Sequence, residues 1–360
     1  MQDLLKDFLN WLSSPTIFFT LACIGWVLLM KYYRKWTNPK FMIPVFIFSV
    51  IALVWSLMDP NFFIQASKPD NIPIWIMAYA TGYFVWLSFR RAAINDALDE
   101  EGKPNLEKQE SNQKVYTWPD LVYSELICMV LFLAFLFAWA VIFQAPLEEP
   151  ANTGVTPNPA KAPWYFLGLQ EMLVYFDPWM AGVVMPVMII VGLVALPYYD
   201  DNPKGNGYYT VKDRFSAIWV FGFGFIVLWI ALIFLGTFFR GPSWNTYGPF
   251  EYWDKHKVLV MNNINLSELF WVKLLHTKLP TNPFVREFLG IGLTLGYMVA
   301  IPPILSKTFL KNYYQRLGFT RYNIVVILGL VMLSLPIKMY LRWFINLKYI
   351  VALPEYVFNI

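Results

Sequence analysis

Histidine is nearly missing from this chain. Of its 360 residues only His256 and His276 are histidines, and both fall in a polar connection rather than an apolar run. A b-type haem held by two histidines across a helix bundle cannot be assembled from that set, so the chain is expected to bind no haem alone. Cysteine is as scarce. Cys23 and Cys128 both sit inside apolar runs, and neither belongs to a CxxCH motif. They read as buried free thiols. Charge is thin too, with 14% charged residues against 58% hydrophobic ones. A soluble domain does not carry so much apolar surface, and the composition specifies a polytopic membrane protein. A net charge of +4 is too mild to point to nucleic acid. There is no P-loop, zinc-ligand spacing, nucleophile motif or internal repeat. The opening MQDLLKDFLNWLSSP mixes acids with bases and lacks a small-residue cleavage site, so it is not expected to be a removable signal.

What the chain does have is long apolar runs. Eight spans are expected, at about 14–31, 41–58, 72–89, 122–144, 178–198, 215–239, 287–306 and 322–341. At roughly 17–25 residues each, they match the bilayer core as helices. The last is interrupted by Pro336, Lys338 and Arg342, whose long cations are expected to snorkel to the interface. The fold class is therefore all-α, with about eight transmembrane helices and a proline-rich outer loop. Lysine and arginine set the topology. Connections 31–40, 90–120, 200–214 and 307–321 hold sixteen of them, whereas 1–13, 59–71 and 145–177 hold only Lys6, Lys68 and Lys161. The first group is expected in the cytoplasm, which leaves both termini and the loop outside.

The loop itself, 145–178, is unusual for a simple connection. Pro146, Pro150, Pro157, Pro159 and Pro163 stiffen its backbone, and Glu148, Glu149, Glu171 and Asp177 make it acidic. It leads into an aromatic segment, Trp164–Tyr175, expected to be helical. There Trp164, Gly168, Glu171 and Tyr175 share one face. Such a loop suits either a pocket at the membrane surface or a rigid lid without a ligand. In the pocket reading Glu171 is a proton acceptor, Gly168 leaves room beside Trp164, and Trp164, Tyr165 and Phe166 form the walls. Further on, 240–286 opens with the aromatic cluster Trp244, Tyr247, Phe250, Tyr252 and Trp253, then offers an amphipathic helix over Asn265–Lys278.

The order Trp118-Pro119-Asp120-Leu121, Glu149-Pro150-Ala151-Asn152, Thr156-Pro157, Pro163-Trp164-Tyr165-Phe166 resembles subunit IV of the cytochrome bf complex, the counterpart of the C-terminal half of cytochrome b. The resemblance covers about 120–240. It implies a haem-free subunit of a bc-type quinol:cytochrome c oxidoreductase. The implied partners are a dihaem cytochrome b N-terminal subunit, a Rieske iron–sulfur protein and a c-type cytochrome, so haem b and the iron–sulfur cluster lie on partner subunits. It also implies quinone binding around Pro163, Trp164, Tyr165 and Phe166, to which the spacing adds Gly168, and places Asp120 near a quinone-reducing site. From its residues alone, Asp120 is simply an acid suited to the start of a helix. One departure matters: the family's glutamate in its PEWY motif falls on Pro163. A menaquinol substrate, lipid as the surrounding partner, and a bacterial inner membrane location fit this class. A transporter or channel, or a purely structural anchor of another respiratory complex, remain the alternative readings.

Five regions are expected: an N-terminal three-helix extension over 1–91, a cytoplasmic linker over 92–117, the subunit-IV-like core over 118–240, the outer aromatic loop over 241–286, and a C-terminal two-helix extension over 287–360. The segment 92–117 reads equally as a solvated loop or a docking element. The charge asymmetry predicts that cysteine introduced by Ser111→Cys is labelled only with cytoplasmic access, and that from Thr153→Cys from outside. Labelling of both from the same side contradicts the span map.

Overall fold

The computed structural model describes residues 2–144, 147, 150, 152–154, 156–200, 207–257, 259, 262–356 and 358–360. Pro146, Glu148, Glu149, Ala151 and Lys204, which entered the argument above, lie outside the described residues. The protein is an all-α polytopic membrane protein, 73% helical. Seven helices are long and apolar enough to cross a bilayer: Pro39–Leu57, Ile72–Glu100, Thr117–Ile142, Met180–Tyr199, Phe215–Phe239, Phe288–Lys307 and Lys311–Ile345. Pro15–Lys31 reaches that length only together with the preceding Asp3–Leu12, from which it is bent by 74°, and the pair counted as one span makes the eighth. Counted in chain order, Pro15–Lys31 is the first span and Lys311–Ile345 the eighth. All eight expected runs are helices. A short antiparallel pair, Ala352–Leu353 with Phe358–Asn359, closes the chain.

The connections gather at two ends, in the groups that the lysines and arginines separate, except that the basic connection 240–286 joins the lysine-poor end. At one end Lys6 Nζ meets Asp59 Oδ2 at 2.6 Å, Phe250 N–H donates to Asn10 Oδ1 at 2.9 Å, and Asn61 Nδ2 donates to the Phe250 carbonyl at 3.1 Å. There Gly248 is obligatory, since a Cβ would lie 2.3 Å from Asn10 Oδ1. The loop joins the same end. At the other end Tyr33 donates to Asp96 at 2.8 Å, Asn95 Nδ2 donates to the Tyr209 carbonyl at 2.9 Å, and Glu100 pairs with both Arg34 and Lys212. Asp96 and Asn95 are buried, and Asn95 also receives the Leu106 N–H at 2.9 Å. The first part of 92–117 prolongs the third span to Glu100 and carries the contacts to 209–212, and Leu106 and Glu107 fold back onto Asn95 of that helix.

The core lies between the first, sixth and eighth spans and the loop. Phe19, Trp26, Met172, Tyr175, Phe176, Val227, Leu335 and Met339 form one buried cluster. Phe19 makes edge contacts with Tyr340 and Trp343 of the eighth span, and Trp343 meets Tyr175 edge-on at 5.8 Å. The two terminal extensions thus pack against the central region rather than standing apart from it. Lys338 does not snorkel as expected. It is 1% exposed, its Nζ lies 5.7 Å from the Phe176 ring and 5.8 Å from the Tyr349 ring, and it has no hydrogen-bond partner. The ring faces supply its stabilisation, because the loop and the chain end close over the route to the interface. By contrast the fourth span, Thr117–Ile142, buries nothing in the protein. Its cysteine, Cys128, is exposed, and Cys23 is half-buried, so neither is the fully buried thiol expected.

Trp26 fixes the approach of the first and sixth spans. Its indole N–H reaches the Trp219 carbonyl at 3.3 Å, and its ring covers Gly222 so closely that a Cβ there would lie 2.1 Å away. Trp26 is 2% exposed and has no space to retreat. Gly222→Ala is therefore predicted to destabilise the fold by about 1–3 kcal/mol through overpacking. Thermal unfolding checks this: the melting temperature falls in Gly222→Ala and recovers in part when Trp26→Phe is added.

Candidate functional site

The proline-rich loop enters the site along the end of the sixth span. Ala162 N–H donates to Gln170 Oε1 at 2.8 Å, and Gln170 Nε2 donates back to the Ala160 carbonyl at 2.8 Å. One side chain thus ties the main chain on both sides of Lys161 to the segment that follows. That segment is not one continuous helix. Trp164–Phe166 forms a 3-10 turn, Leu167–Met172 an α-helix, and the chain then turns through Leu173–Phe176. Pro163, which donates no hydrogen bond, stands just before the first turn, where no donor is needed.

The face expected from the spacing does form, but it points into the protein. Trp164 is half-buried against Ile74, Leu235, Phe238 and Phe239. Gly168 packs on the sixth span, where an added Cβ would make ordinary contacts with Ile233 and the Trp229 carbonyl, 3.6 Å away. Leu167 lies against Gly236 of the same span. Outward, Tyr165 and Phe166 are 47% and 50% exposed, with ring centroids 4.8 Å apart, and Trp164 meets Tyr165 edge-on at 5.5 Å. Pro163 is also exposed. Asp120 is not brought to this group. It is exposed at the start of the fourth span, whose other end leads into the loop.

Glu171 has surroundings that differ from those expected of a free acid in a slot. It is fully buried, and both its oxygens are taken by Arg240. Arg240 Nη2 lies 2.5 Å from Oε1 and Nε 2.9 Å from Oε2. Tyr175 adds its hydroxyl to Oε1 at 3.2 Å. Arg240 also donates Nη1 to the Trp244 carbonyl at 3.0 Å. Burial works against the guanidinium charge, but the facing Glu171 carboxylate outweighs it, and the Arg240 pKa is raised. Arg240 therefore stays charged and meets Glu171 as a fork-to-fork pair. Sequence reasoning missed Arg240. Its signal was present as the first cation after a charge-free span, but an arginine in that position reads equally as an interfacial anchor.

A second group missed by sequence is Lys161. Its Nζ donates to the Thr237 carbonyl at 2.6 Å and stands 4.9 Å over the Trp253 ring. Lys68 sits on the same ring at 5.3 Å. Burial, assisted by repulsion from Lys68, lowers the Lys161 pKa to about 7. The histidines bring nothing to this group. His256 and His276 are both exposed. Among the described residues no cluster of His, Cys, Asp and Glu could hold a metal ion.

A many-spanning helical membrane protein with an aromatic, proline-rich loop clamped to a span end by a buried ion pair is the class that fold and site define. Residues 150–243 match the family model described as Cytochrome b(C-terminal)/b6/petD, and this part of the chain is similar to that bc/b6f-type family. The match covers the loop and the fifth and sixth spans, and it leaves Asp120 and the fourth span outside. The chain is also similar to the menaquinol:cytochrome c reductase cytochrome c subunit of Bacillus subtilis (strain 168), 31% identical over 116 residues. That covers 29% of this chain and 44% of the relative, so the chain spans less than half the length of the curated relative it matches. No solved structure matches.

The ion pair sets the prediction for this site. Removing one partner leaves a buried charge uncompensated, at a cost of about 3–5 kcal/mol. Glu171→Gln is predicted to lower thermal stability and yield sharply, and Glu171→Gln with Arg240→Met to recover part of the loss. Unchanged melting of Glu171→Gln contradicts the clamp.

Proposed function

We propose that this chain is the haem-free membrane subunit of a quinol:cytochrome c oxidoreductase of the bc/bf type. It contributes the outer loop to the quinol-oxidation site and takes part in respiratory electron transfer coupled to proton translocation. The observation that carries this reading is the position of the family match: residues 150–243 cover the clamped loop and the two spans that follow it. In this proposal Pro163, Tyr165 and Phe166, with Trp164 edge-on behind them, form an apolar wall for a flat quinol ring. Gly168 brings the wall onto the sixth span. Asp120 belongs to the quinone-reducing side at the other membrane face.

Glu171 was the sequence candidate for the proton acceptor. Buried and bonded to Arg240 through both oxygens, it holds the wall in place in this proposal. Electrons leave the quinol through haem b and iron–sulfur groups on partner subunits, a dihaem cytochrome b N-terminal subunit, a Rieske protein and a c-type cytochrome. The similarity to a menaquinol:cytochrome c reductase subunit supports menaquinol as the substrate class. The lysine and arginine asymmetry supports a bacterial inner membrane orientation with both termini outside. The five regions drawn from the sequence belong to the same proposal, with 118–240 as the core that meets the dihaem subunit.

Gentle purification from the native membrane tests the assignment. The expected preparation holds a dihaem b subunit and an iron–sulfur subunit in fixed ratio with this chain, and reduces cytochrome c from quinol. The chain freed from its partners should show no haem absorption. A homogeneous single-chain preparation, or a stoichiometric haem on the isolated chain, contradicts the proposal.

A further inference from the structure

The family's acid is replaced by Pro163, and Glu171 has both oxygens engaged, so quinol oxidation needs another proton acceptor on this face. The described titratable groups of the loop are few. Asp177 lies at its far end, where Tyr349 and Asn359 approach it at 3.4 Å. Tyr165 is a phenol, a poor base near neutral pH. Lys161 remains. It precedes Pro163 by two residues, and Gln170 pins the main chain on both of its sides. Its amine makes one hydrogen bond, to the Thr237 carbonyl, and forms no ion pair among the described residues. An amine held by a carbonyl on one side keeps its lone pair for a donor on the other when it is neutral.

Resting on the quinol reading above, we propose that Lys161 is the group that takes the first proton from the quinol. The neutral amine accepts the hydroxyl hydrogen: the quinol O–H bond breaks, an N–H bond forms, and the products are a quinolate and an ammonium. The quinolate then gives its electrons one at a time to an iron–sulfur oxidant and a haem on partner subunits, and its remaining O–H proton passes to the outer water, leaving the quinone. The ammonium rests over Trp253 until it releases its proton to the outer water.

The surroundings suit that cycle. Burial lowers the affinity of the amine for a proton, and Lys68 and Arg240 lower it further, while Asp70 and Glu171 raise it. The balance leaves Lys161 titrating at about 7 rather than at the usual lysine value of 10.5. The neutral form therefore grows as pH rises through 7, and turnover should rise with it. In this arrangement the Glu171–Arg240 pair contributes fixed charges of opposite sign near the acceptor, which is a second reason for it to stay paired.

The test is Lys161→Arg in the intact complex. Arginine keeps the charge, the bond to Thr237 and the stacking on Trp253, but it does not lose a proton. We expect quinol-dependent cytochrome c reduction to fall by about 10²-fold or more in kcat, with KM within about twofold, and the rise through pH 7 to vanish. Lys161→Ala in an assembled complex should be slow, and added methylamine should restore turnover with a pH dependence set by the amine. Wild-type turnover and pH profile in Lys161→Arg, or no rescue of Lys161→Ala by methylamine, overturns the proposal and leaves the quinol reading standing. A wild-type complex that oxidises no quinol overturns the quinol reading itself, and the proposal with it.

Discussion

The structure depends on one buried ion pair. Glu171 and Arg240 come from segments 69 residues apart, and their side chains are 0% and 4% exposed. Two charges removed from water cost several kcal/mol each, and only good geometry with further hydrogen bonds offsets that. Here the geometry is bidentate, Tyr175 occupies Glu171 further, and the Trp244 carbonyl takes another guanidinium proton. Such a pair adds little net stability over an apolar contact, but it tolerates only one register. It places the short helix Leu167–Met172 at the end of the sixth span and so fixes the outward turn of Tyr165 and Phe166.

The terminal extensions serve that placement. Tyr175 and Phe176 are covered from behind by the eighth span, where Met339 and Trp343 lie in the same cluster, and Phe19 of the first span closes the cluster. The loop 240–257 is held in turn by the N-terminal helix through Asn10, and by Lys161 and Lys68 stacked on Trp253. A chain that contained only the region matching the cytochrome b family would leave these aromatic and charged groups uncovered. The fourth span is the contrast. It buries nothing within the chain, which suits a helix whose neighbours are lipid or another subunit.

How much of this was legible in the sequence differs from element to element. The eight spans were, because bilayer thickness imposes a length that apolar runs either meet or miss. The sorting of connections into two ends was legible from lysine and arginine except at 240–286, which is basic yet joins the lysine-poor end, as long segments cross with little regard to charge. The shared face of Trp164, Gly168, Glu171 and Tyr175 was also present in the spacing, but not its direction. Helical periodicity says which residues point together, and it does not say toward what. Glu171 read as a free acid because its partner lies 69 residues away in sequence, and no local pattern announces such a pair. Lys338 misled for a related reason: the snorkelling rule assumes an open path to the interface, and Phe176 and Tyr349 close it.

The central claim is that the clamped aromatic turn is a wall of a quinol site. A photoreactive quinone analogue applied to the native membrane, followed by mass spectrometric mapping, tests it most directly. The account predicts labelling within residues 161–173, at Tyr165 or Phe166 above all, and its suppression by excess unlabelled quinol. Labelling confined to partner subunits, or labelling of 161–173 that unlabelled quinol does not suppress, contradicts it.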